Sequence, residues 1–175
     1  MYGINKDTQV NESKYFDAGI HDEVTLEKVC YENSKKDGTG KNVLAFHFKG
    51  KNGEAFRHVE FPVDSDDPKA DSKFKNLGVR IKHILLRFMP EDQIVIANVS
   101  SFEEYCNAVI ALIGNKNKET KVAIKLVYDD RGNLGFTKYV GFIANTPSGL
   151  KIGASEKLTK VTSSPESSTS VEEAF

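Results

Sequence analysis

Lys35, Lys36 and Lys41 surround Gly38 and Gly40 in the stretch Ser34-Lys35-Lys36-Asp37-Gly38-Thr39-Gly40-Lys41, and Arg131 stands beside Gly132 in Asp129-Asp130-Arg131-Gly132-Asn133. Cations on glycine-opened turns suit phosphate groups, because backbone can approach closely while the charge projects into solvent. The segments flanking these turns alternate apolar and polar residues. They offer Tyr31, Phe56 and Tyr139 as rings for stacking, with Lys49, Arg57, His58, Lys125 and Lys138 beside them. A positive groove with exposed rings holds an unpaired nucleic-acid strand, each stacked base contributing about 1–3 kcal/mol without regard to sequence. Alternation shows that two faces differ but not which face is inward. Core packing is therefore the competing reading, and most of Phe46, Phe48, Phe56, Phe61, Phe136 and Phe142 are expected inside.

Other chemistries find less support. The chain has no GxSxG nucleophile elbow, no phosphate-cradling GxxxxGK[ST] and no HExxH. His21, His47, His58 and His83 show no metal-ligand spacing with Cys30 or Cys106, so neither a metal nor another cofactor is expected. Asp64, Asp66, Asp67 and Asp71 lack a glycine-centred ligand loop and read as a solvated capping segment. No catalytic constellation can be named, and the chain is not expected to be an enzyme.

These residues must be positioned by a chain of 175 residues, with 39% hydrophobic and 28% charged composition, which fits one globular domain plus a tail. No apolar run approaches the ~20 residues of a membrane span. The opening residues lack the charged-then-apolar layout of a secretory signal, and two cysteines without CxxC spacing make no disulfide framework. A reducing, cytoplasmic setting is expected. The net charge is −1, but residues 161–175 hold three acids and no base; without them 24 basic residues stand against 22 acidic ones.

Along the chain, residues 1–19 read as an N-terminal arm, 20–160 as the domain and 161–175 as a flexible acidic tail. Val24, Leu26, Val29 and Tyr31 alternate with a phase change near Lys28, as in a bulged strand. Leu44, Phe46 and Phe48 mark a second strand, and Lys51-Asn52-Gly53 predicts a type I′ turn into a third, Glu54 to Phe61. Asp67 before Pro68 predicts the cap of a helix carrying Phe74, Leu77, Ile81, Ile84, Leu85 and Phe88. Ser101 and Glu104 predict a capping box for a second helix, ended by Gly114. Val122 to Tyr128 and Phe136 to Phe142 predict a final two-stranded hairpin. Three strands, a helical insert and two strands suit a five-stranded Greek-key barrel of the oligonucleotide-binding (OB) type, helices between strands three and four.

The tail is serine-rich and broken by proline, so it cannot bury enough apolar surface to offset its ordering entropy. It ends Val171-Glu172-Glu173-Ala174-Phe175, an aromatic plug with flanking acids that suits an apolar pocket rimmed by basic residues on a partner. Extended, it reaches at most about 50 Å.

Two stretches carry a family resemblance. Gly19-Ile20-His21 through Val24, Leu26, Val29, Tyr31 and Lys35-Lys36-Asp37-Gly38 to Leu44-Ala45-Phe46-His47-Phe48 resembles the opening strand, loop and second strand of phage-encoded single-stranded-DNA-binding proteins. Glu172-Glu173-Ala174-Phe175 is similar to the acidic, phenylalanine-bearing C-termini of bacterial and phage single-strand binders. The resemblance covers residues 17–61 and the tip; residues 63–120 match by element order. It implies an OB-fold protein that coats single-stranded DNA without sequence preference during phage replication or recombination, in the cytoplasm of the infected host. It also implies that Glu172, Glu173 and Phe175 recruit replication or recombination proteins. Self-association is compatible with this reading, and a membrane partner is not expected. The rival expectation is a protein-interaction or virion-accessory β-barrel that binds no nucleic acid, which the near-neutral charge favours.

Overall fold

The computed structural model describes residues 2–8, 15–114 and 118–160. Its frame is a mainly antiparallel sheet of six strands that does not close on itself, ordered β3-β2-β1-β4-β5, with β6 also on β4. The strands are β1 (Gly19–Asn33), β2 (Asn42–Lys49), β3 (Ala55–Glu60), β4 (Lys121–Tyr128), β5 (Leu134–Gly135) and β6 (Ile143–Ala144). Helices α1 (Ala70–Leu85) and α2 (Phe102–Ile113) lie between β3 and β4 in the chain.

Strand β1 serves two partners. Residues from Gly19 to Thr25 pair with β4, and residues from Thr25 to Asn33 pair with β2. Irregularities fall between His21 and Val24 and between Leu26 and Lys28, the second where the sequence changes phase. In the first, Glu23 takes φ 53°, left-handed backbone that a side chain disfavours. Its amide is held by the Asp22 carboxylate at 2.8 Å.

The β2–β3 turn differs from expectation. Asn52 does not take positive φ, which rules out type I′; only Gly53 is left-handed, at φ 87°. Its amide reaches the Gly50 carbonyl at 3.1 Å, the arrangement of a three-residue loop with its glycine last. The first helix also starts later than expected. Asp67 organises the preceding turn, accepting from the Lys69 amide at 2.7 Å and pairing with Lys73, while α1 begins at Ala70. Ser101 does cap α2, its hydroxyl accepting the Glu104 amide at 3.1 Å, and Gly114 ends that helix.

The expected strand over 136–142 is absent. Extended, six residues would hold Phe136 and Phe142 about 20 Å apart. Instead their rings stack at 4.4 Å between centroids, so the chain leaves β4 after Gly135, loops out and returns at Ile143. The loop imitates a strand in sequence because it too turns its ends, Phe136 and Phe142, inward, while its middle, Lys138 to Val140, is exposed. Burial, with Arg87 nearby, pushes the His83 imidazole below its ordinary pKa. Its Nε2 accepts the Gly141 amide at 3.2 Å, which ties the loop to α1.

The core joins Leu26, Phe46 and Phe48 of the sheet to Leu77 and Ile81 of α1, Cys106 and Val109 of α2, and Phe142. Phe16 is buried with them and Tyr15 bridges to Ala55, so the end of the expected N-terminal arm belongs to the fold. Beside this core Glu60, at the end of β3, is buried and bonded by Arg80 of α1 through Nε and Nη2, both at 2.7 Å. His58 Nε2 lies 3.0 Å from the same carboxylate. Burial raises the Glu60 pKa, but the Arg80 fork and His58 together outweigh it and hold the group below the usual carboxylate range. The pair therefore stabilises the fold fully above the ordinary carboxylate pKa, and that contribution is lost as pH falls through the lowered folded value.

Arg80→Met leaves a buried carboxylate with a single histidine partner, and urea unfolding at neutral pH is expected to show a loss of about 3–5 kcal/mol. Glu60→Gln should cost less, because the amide oxygen still accepts and the guanidinium is partly exposed. It should also flatten the acid limb of stability against pH, and an unchanged acid limb would contradict the assignment.

Candidate nucleic-acid interface

Period-two alternation sorts the first three strands into two faces. One carries Val29 and Tyr31, Leu44, Phe46 and Phe48, and Phe56, His58 and Glu60, and packs on the core. The other carries Lys28, Cys30 and Glu32, His47 and Lys49, and Arg57. The loop 34–41 adjoins this outer face. Glu32, Asn33, Lys35, Lys36, His47 and Arg57 line a shallow depression of about 350 Å³ there.

Asn33 builds that loop. Its side-chain oxygen accepts the amides of Lys35 at 3.1 Å and Gly40 at 3.0 Å. Its amide nitrogen donates to the carbonyls of Gly40 at 2.7 Å and Gly38 at 3.2 Å. A Cβ on Gly40 would come within 2.0 Å of the Ser34 hydroxyl, so a larger residue there would force the Ser34 side chain to turn aside. Lys35, Lys36 and Lys41 are exposed on its outside, and among the described residues none of them is in an ion pair; nor are Lys28 and Lys49.

Within the depression, Arg57 is already engaged. Its Nε donates to Glu32 at 3.0 Å, Nη1 to the Ser34 carbonyl at 3.0 Å and Nη2 to the Asn33 carbonyl at 2.9 Å. It clamps the end of β1 across β2 to β3, and its expected role as a phosphate ligand gives way to a structural one. His47 lies 2.6 Å from the same Glu32 oxygen. Burial pushes Glu32 up, yet the bonds from His47 and Arg57 prevail and keep its pKa below the ordinary value.

The structure disperses other expected residues. Tyr31 and Phe56 pack against the core from the inner face, Tyr31 against Phe102 and Phe56 between Phe48 and Phe136. His58 is on that face too, bonded to Glu60, so none of the three shares a surface with the lysine loop. Lys125 is buried, donating to Glu156 and to the Lys151 carbonyl, both at 2.9 Å. It holds the segment after β6 over a strand buried on both faces, and so cannot meet a phosphate. Arg131 is exposed, but its turn follows the β4 residues that pair with the start of β1, whereas loop 34–41 leaves the other end. Lys138 and Tyr139 are exposed together on the 136–142 loop, Nζ 5.6 Å from the ring centroid. Glu172, Glu173 and Phe175 lie outside the described residues.

Sequence reasoning missed Lys28, Glu32 and His47, which alternation places together once the β1–β2 register is known, and Asn33, which has the opposite parity and is marked only by its side-chain bonds to the loop. Phe61, one of a group of rings mostly expected inside, is half exposed just beyond β3. A larger groove, about 460 Å³, runs between α1 and residues 96–102 and is lined by Phe74, Leu77, Val99 and Phe102 among others. No helix among the described residues is long and apolar enough to cross a membrane. No protein-family model matches the chain, and no curated protein sequence matches it.

If Asn33 closes the loop, Asn33→Ala should cost about 1–3 kcal/mol, from a network whose partners are left unpaired. It should also raise the hydrogen-exchange rate of the Gly40 amide selectively. Unchanged Gly40 protection would show that the loop holds itself.

Proposed function

We propose that this chain is an OB-type protein of the phage single-strand-binding class, which coats single-stranded DNA without sequence preference. The observation that carries the reading is the gathering of Lys28, Lys35, Lys36, Lys41 and Lys49 along one face and its loop, with no ion-pair partner among the described residues. Charges left unneutralised by the protein are available to phosphates, and their counterions are released on binding. Fold order supports the reading. The sheet order with helices between β3 and β4 matches a Greek-key barrel laid open. Phe136, just after β5, packs on Phe56 of β3 at 5.0 Å, bringing the two sheet ends together through side chains. Phe61 and Tyr139 are exposed rings, which replace Tyr31 and Phe56 as stacking residues. The phage class and the recruiting role of the tail rest on the sequence resemblance.

The rival, an interaction module without nucleic acid, is favoured by the groove beside α1, whose exposed Phe74 and Val99 suit an apolar peptide.

Fluorescence titration with oligo-dT at several salt concentrations decides between them. Binding should weaken with salt, with a log–log slope of about −0.7 per phosphate contacted, and the K35A/K36A double variant should reduce that slope by about 1.4. Duplex bound as tightly as single strand would remove the stacking role, and no binding at low salt would favour the rival. Deleting residues 161–175 should leave affinity for oligo-dT unchanged or tighter, since the tail is an anionic competitor. A large loss would overturn its assignment to protein partners.

A further inference from the structure

Cys30, Glu32 and His47 each offer one ligand atom, and these atoms lie within 4.8 Å of one another. The grouping follows from strand geometry. Cys30 and Glu32 are two residues apart on the outer face of β1, and His47 on β2 is paired with Lys28, one step along the same row. No spacing motif reveals it, because two ligands come from one strand and the third from its antiparallel neighbour.

We propose that Cys30, Glu32 and His47 form a binding site for a divalent ion of the zinc class. A thiolate, an imidazole and a carboxylate are a donor set that suits Zn²⁺, and three protein ligands leave a fourth position open. A tetrahedral ion at ordinary zinc distances sets its donors about 3.3–3.8 Å apart, so the observed cluster closes around it with side-chain shifts on the order of 1 Å. Cys106 is no competitor: it is buried, and desolvation pushes its thiol up to about 12.

Charge favours the site as well. Arg57 occupies only one Glu32 oxygen, leaving the other for the metal. A thiolate, a carboxylate and the Arg57 guanidinium sum to one negative charge, which a divalent ion turns to one positive. On binding, the ion takes the place of the thiol proton and of the contact between His47 and Glu32. Glu32 and His47 also line the depression beside Lys35 and Lys36, so a bound ion adds positive charge there. The site stands independently of the proposed function, since it rests on the ligand cluster alone.

Co²⁺ titration of the full-length, reduced, metal-free chain tests it. A thiolate-to-cobalt charge-transfer band and the intense visible bands of a four-coordinate ion are expected, both abolished by one equivalent of Zn²⁺. Cys30→Ser should remove the charge-transfer band. His47→Ala should weaken binding by at least the about 10–100-fold that loss of a mere supporting residue costs. Without any variant, Zn²⁺ should protect Cys30 from alkylation, read by peptide mass spectrometry. A weak six-coordinate spectrum, a charge-transfer band that survives Cys30→Ser, or alkylation of Cys30 unaffected by Zn²⁺ would overturn the proposal. None of these readouts involves DNA.

Discussion

The buried Glu60 carboxylate is gripped at both oxygens by Arg80, and through this contact the helical insert is joined to the sheet by something more directional than apolar packing. Hydrophobic contact is tolerant of sliding; a two-pronged guanidinium–carboxylate bond is not. It fixes α1 against the end of β3, and α1 in turn presents His83 to the 136–142 loop. Around this point the aromatic layer is assembled, with His58 touching Phe46, Phe136 and Phe142 while it bonds Glu60. Two charges taken from water are costly, and the arrangement is favourable only because nearly every polar atom in it has a partner.

Much of this fold was legible in the residues. The alternation of Leu44, Phe46 and Phe48, the phase change near Lys28 and the Ser101 cap are local signals, and each has its cause within a few residues. What escaped was non-local. Val122 to Val127 are buried on both faces because the segment after β6 folds back over β4, and alternation in β4 alone holds no trace of that cover. Phe136 and Phe142 looked like members of one strand face; their stacking depends on a cavity built by β2, β3 and α1.

The outer face was legible only by half, and for the same reason. Residue type marked Lys35, Lys36 and Lys41 correctly as exposed cations, since nothing in a glycine-rich turn can bury them. Ring-bearing residues were harder, because an aromatic on an alternating strand satisfies a core and a ligand equally well. Tyr31 and Phe56 went inward and Phe61, one step past the end of β3, came out. Lys125 is the most instructive: a lysine between apolar neighbours looks solvent-directed, yet here it finds a carbonyl 26 residues and a carboxylate 31 residues downstream.

The stacked rings of Phe136 and Phe142 act as a neck. Below it the sheet resumes its pairing at Ile143 regardless of what lies above, and above it Thr137 to Val140 touch little else. Scaffold and tip are thereby uncoupled. A change in the length or make-up of the tip therefore leaves the registry of the sheet undisturbed.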